Sequence, residues 1–87
     1  MIRVGFKPTF VRQFNTLEKD LQEEVVEKIE LFKDRKNHKQ LKAHKLKGRL
    51  VGRYSFSVNY QMRIVFIYEQ KDEAVFLTIG SHDAYKR

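Results

Sequence analysis

Residues 51–79 read VGRYSFSVNYQMRIVFIYEQKDEAVFLTI, and three strands can be traced through them. In the first, 51–58, Tyr54, Phe56 and Val58 alternate with Arg53, Ser55 and Ser57, the period of two expected of a sheet with one buried face. The second, 61–68, is dense in aromatic and β-branched residues, which suit a pleated surface. Lys71 and Asp72 supply a hairpin turn, 74–79 forms the third strand, and Gly80 releases the chain into a short polar tail.

Upstream, Ile2, Val4 and Phe6 alternate with Arg3, Gly5 and Lys7, which predicts a half-buried strand ended by Pro8. Thr9 is placed to cap a short helix with Phe10, Phe14 and Leu17 on its apolar face. Asp20-Leu21-Gln22-Glu23 resembles a capping box opening a longer helix, whose stripe is Leu21, Val25, Ile29 and Phe32 and whose outer face carries Glu23, Glu24, Glu27 and Glu30. Past Asp34 the periodicity breaks, with at most a helical turn over 38–41. The expected order is β-α-α-β-β-β, an α+β fold with a helix hairpin on one face of a twisted, mostly antiparallel four-stranded sheet. At 87 residues the chain is expected to be one domain, 1–87.

Composition narrows the class. Hydrophobic residues at 41% suffice for a core and argue against a disordered tail. Without cysteine there is no disulfide framework and no thiolate metal site, which fits a reducing cytoplasm. No apolar run is long enough to span a membrane, and residues 1–6 do not read as the start of a signal peptide. His38 and His44 lack ligand spacing and a third partner, so neither a metal nor another cofactor is expected. The net charge of +7 matters through its distribution. Residues 35–68 contain no Asp or Glu but nine Lys and Arg: Arg35, Lys36, Lys39, Lys42, Lys45, Lys47, Arg49, Arg53 and Arg63. Such clustering is the footprint of a phosphate-bearing partner, or else a solvated cationic face.

The helices leave the second face of the sheet partly open, and strand parity puts Arg53, Ser55 and Ser57 on it. Arg63, between Met62 and Ile64, joins them if the neighbouring strand pairs in matching register. It either pairs with a distant acid or awaits a phosphate; the lack of any acid nearby in sequence favours the phosphate.

Four elements together resemble the RelE/ParE toxin superfamily: Leu46-Lys47-Gly48, Arg53-Tyr54-Ser55-Phe56, Tyr60-Gln61-Met62-Arg63-Ile64-Val65-Phe66, and Gly80-Ser81-His82-Asp83-Ala84-Tyr85. The fuller His44-Lys45-Leu46-Lys47-Gly48 is similar to a YafQ-like branch. The resemblance implies the toxin of a type II toxin–antitoxin system, a metal-independent endoribonuclease that cuts messenger RNA, often at the ribosome, and is neutralised by an antitoxin protein. It assigns the catalytic positions to His44, Arg63, His82 and Tyr85. The chain departs from the YafQ-like pattern around Ser57 and Gln61, and from the RelE lysines at Ser55 and Ser57. ParE relatives share the fold but act on DNA gyrase, so a gyrase-directed or nuclease-inactive binding module is one alternative. A plain RNA-binding domain is another.

The residue types suit the implied chemistry. Cleavage needs a base for the 2′-hydroxyl, an acid for the departing 5′-oxygen and cations for the phosphate. His44 and His82 suit the first two roles, in either order, since imidazole titrates near neutrality. Arg63 suits the phosphate, with Arg53 assisting. Tyr85 either stacks on a base or closes the core. Lys45, Lys47 and Arg49 read as nonspecific RNA phosphate contacts, and His38 as a surface residue.

Overall fold

The structure, a computed structural model, describes residues 1–50 and 52–81. Its elements are β1 (Arg3–Phe6), α1 (Pro8–Asn15), α2 (Lys19–Phe32), β2 (His44–Lys45), β3 (Tyr54–Ser57), β4 (Met62–Gln70) and β5 (Glu73–Ser81), with 3₁₀ turns at Arg35–Asn37 and Gly48–Leu50. The strands form one sheet in the order β1-β5-β4-β3-β2. All neighbours are antiparallel except β1 and β5, which run parallel. The α+β class and the helix hairpin on one face are as expected. The sheet, however, has five strands: β2 is two residues long, too short to show any alternation. The helical turn before it falls at Arg35–Asn37, held where Asp34 Oδ1 accepts from the Lys36 backbone N–H at 3.1 Å.

The helices begin slightly earlier than their cap signals suggest. Pro8 occupies the first turn of α1 after Lys7, and no side chain caps the end, so Thr9 is already helical. Similarly, α2 follows Glu18 without a side-chain cap, and Asp20 lies in its first turn. There the carboxylate complements the helix dipole instead of closing a capping box. Leu17 lies in the tight connection, its N–H donating to the Phe14 carbonyl at 3.1 Å. Gln22 Nε2 donates to that same carbonyl at 3.0 Å and fastens the hairpin. Gln13 Oε1 accepts from the Ile79 N–H at 2.9 Å and ties α1 to β5.

The core lies between hairpin and sheet. Phe32, fully buried at the end of α2, meets Phe56 of β3, Phe66 of β4 and Phe76 of β5 at centroid separations of 4.7, 4.8 and 5.3 Å. Phe10, Val25, Ile29, Ile64 and Ile79 fill in around this cluster. His38 belongs with it and is not the plain surface residue the sequence suggests. Its ring stacks on Phe32 at 4.6 Å, and its Nε2–H donates to the Phe32 carbonyl at 2.7 Å. That carbonyl is one of those the end of α2 leaves without a helical partner.

Candidate nucleic-acid interface and active site

Strand register decides which polar residues share the second face. Directly opposed residues of antiparallel strands present their side chains on the same side. One cross-strand row runs His44–Ser55–Val65–Thr78, and a second, two residues further along, runs Ser57–Arg63–Gly80. At ordinary strand dimensions the rows are about 7 Å apart, and β2 lies about 9.5 Å across from β4. His44 and Arg63 therefore lie diagonally on one face, bridged by Ser55 and Ser57.

Arg63 is half-buried in the middle of the sheet. Its Nη1 donates to Ser57 Oγ at 3.0 Å, so the guanidinium leans from β4 toward β3, on the side where His44 sits. Its Nε is buried without a hydrogen-bond partner, and no carboxylate pairs with the group among the described residues. Of the two readings open for Arg63, the acid partner is absent there. The flanking row is less open than parity alone suggests, since Ser55 and Val65 are 2% and 3% exposed. The accessible part of the face lies around them.

His44 is exposed, and its Nδ1 meets the Lys42 carbonyl at 2.7 Å. A carbonyl accepts, so Nδ1 carries the hydrogen and the neutral ring keeps its Nε2 lone pair free. That carbonyl follows from an unusual backbone: Lys42 has φ 58, the left-handed region, and turns the chain into β2.

The other candidates fall in different places. Arg53 is exposed just before β3, and its carbonyl accepts from the Leu46 N–H at 2.8 Å. Lys45 lies opposite Tyr54, on the parity of the helix face, and so points away from His44. Lys47 and Arg49 are exposed around the 3₁₀ turn. His82 and Tyr85 lie outside the described residues.

A hollow of about 240 Å³ beside Arg63 adds Lys28 of α2 and Asn59, which the sequence reading did not name, and Lys42 and Tyr60, which it named only in the basic stretch and the strand motif. Tyr60 lies in the β3–β4 hairpin and not in a strand, and it is 90% exposed. Its position was legible only in the short gap between the two strands. A second hollow, about 270 Å³, is lined by Phe6, Phe10, Val11, Phe14, Val26 and Ile29. Phe6, Val11 and Val26 are 48%, 43% and 49% exposed there.

No family model matches the chain, and no curated protein matches it. Solved structures do. YafQ from Escherichia coli superposes with a TM-score of 0.74 at 13% identity, over 100% of both chains. A chain of the YoeB–YefM complex from Staphylococcus aureus gives 0.72 at 19%, covering 94% of this chain and 98% of that one. A chain of the RelBE2 toxin–antitoxin complex from Mycobacterium tuberculosis gives 0.71 at 19%, covering 93% and 98%. The helix hairpin over a five-stranded sheet is thus a fold this chain shares with YafQ and with the matching chains of the YoeB–YefM and RelBE2 complexes.

Proposed function

We propose that this protein is the toxin of a toxin–antitoxin pair and an endoribonuclease that cuts messenger RNA, at the ribosome, without a metal. The observation that carries the reading is Arg63: a guanidinium rooted in the central strands, with a buried orphan Nε and no carboxylate partner among the described residues. A planar fork held this way suits a phosphate with charge building on its oxygens. In the proposed reaction His44 Nε2 takes the 2′-hydroxyl proton and the 2′-oxygen attacks phosphorus. The bond to the 5′-oxygen breaks, a 2′,3′-cyclic phosphate remains, and His82 returns a proton to the leaving oxygen. Tyr85 stacks on or orients the substrate, and Lys47, Arg49 and Arg53 hold neighbouring phosphates, whereas Lys45, on the other side of β2, takes no part. The proposed antitoxin covers the toxin, with the apolar hollow between α1 and α2 as the surface that supports such a partner.

The test is cleavage of free and ribosome-bound message by the wild-type protein and by Arg63→Ala and His82→Ala. Loss of about 10²–10³-fold in the Arg63 variant, with the fold intact, is the expected result. A wild-type protein that cuts neither substrate sinks the nuclease reading. Ser55 and Ser57 would then be the reason, as no second proton-transfer group stands in those rows.

A further inference from the structure

The β3–β4 hairpin is braced by hydrogen bonds and carries an aromatic ring that packs on no other ring among the described residues. Asn59 fixes the turn, its Oδ1 accepting from the N–H groups of Gln61 and Met62 at 2.9 Å each. Its Nδ2 donates to Glu24 Oε1 of α2 at 3.0 Å, so the turn is anchored to the helix layer as well. The Val58 N–H donates to the Met62 carbonyl at 2.9 Å. Tyr60 projects from this braced turn at 90% exposure. Folding stability does not account for a large ring held in water on an ordered turn. Beside it, Lys28, Lys42 and Arg63 line one hollow whose lining holds no carboxylate among the described residues. Among the described residues Lys28 has one ion contact, with Glu27 at 3.6 Å, and Glu27 is largely exposed. Water and salt screen such a pair heavily.

We propose that this hollow is a second nucleotide subsite, next to the phosphate held at Arg63, in which Tyr60 stacks on an RNA base and Lys28 and Lys42 hold its phosphate. Single-stranded nucleic acid is bound by this combination of aromatic platform and cationic groove, with little dependence on base identity. The subsite would also set direction. The strand would cross from the His44 row, over Arg63, and leave by the hairpin tip.

The proposal rests on the RNA reading above, and one binding experiment separates the two. The probe is a fluorescent ten-nucleotide 2′-O-methyl RNA, which cannot be cleaved, and its affinity is read by anisotropy. Tyr60→Ala is expected to weaken binding about five- to 150-fold, the range for loss of one stacked base. Tyr60→Phe should bind as the wild type does. Lys28→Gln should lower the slope of log affinity against log salt by about 0.7, the contribution of one phosphate contact on a single strand. Tyr60→Trp would place the sole tryptophan of the chain at the site, and its fluorescence should quench on adding the probe. Wild-type binding left unchanged by Tyr60→Ala overturns the subsite and leaves the nuclease reading standing. Failure of the wild type to bind overturns both.

Discussion

A buried donor without a partner costs about 1–3 kcal/mol, and Arg63 Nε is one. Removing it while keeping the volume should stabilise the protein. Arg63→Met is expected to raise the melting temperature by about 4 °C or more, corresponding to about 1 kcal/mol, while cleavage disappears. Calorimetry and the cleavage assay on the same sample check both halves, and a lower melting temperature would show that the guanidinium is satisfied in the folded protein. Arg63 was legible in the sequence because a charge inside an apolar strand contradicts its surroundings. His38 was not. Its bond to the Phe32 carbonyl and its stack on the Phe32 ring depend on the chain folding back past the end of α2, which no periodicity records. His38→Ala should cost about 2 kcal/mol, the sum of one hydrogen bond and one ring contact, in denaturant unfolding.

Between elements, the strain is concentrated where the chain enters β2. Lys42 sits at φ 58, where a side chain costs about 1–2 kcal/mol relative to right-handed backbone. Lys42→Gly should therefore raise stability by about 0.5–1 kcal/mol, despite the freedom glycine adds to the unfolded chain. Denaturant midpoints measure the gain, and a loss would mean the lysine stem packs where the backbone alone does not show it. The long elements were readable because their periods repeat: the stripe of α2 and the alternation in β3 both place core residues correctly. Two-residue β2 has no period to read. It exists because its partner β3 offers an edge, a property of the assembled sheet that local sequence cannot carry. The site inherits this limit, since His44 reaches the Arg63 face only through the β2–β3 register.

Across the whole molecule, the α2 end serves as the point where helix layer and sheet are joined. Phe32 touches one phenylalanine from each of three strands, so Phe32→Ala should cost about 3–5 kcal/mol. In a chain this small that is a large share of the total, and urea titration should show a much earlier midpoint with the slope retained. The charge asymmetry acts at the same scale. Lys47→Glu combined with Arg49→Glu should weaken RNA binding about equally for all sequences and flatten its salt dependence. A change of sequence preference instead would place these two residues at base edges.

The sheet order carries a consequence for timing. Among the described residues β5 is the only neighbour of β1 in the sheet, and it also pairs with β4. Arg3 meets Glu73 across a sequence separation of 70 residues. During synthesis at about 5–20 residues per second, the first strand therefore waits roughly 4–14 s for its partner. Over that interval the helix hairpin has little sheet to cover, and the Arg63–Gly80 row does not exist. The Arg63 face is completed only when β5 has been made, so a nascent chain that stops short of it lacks that face.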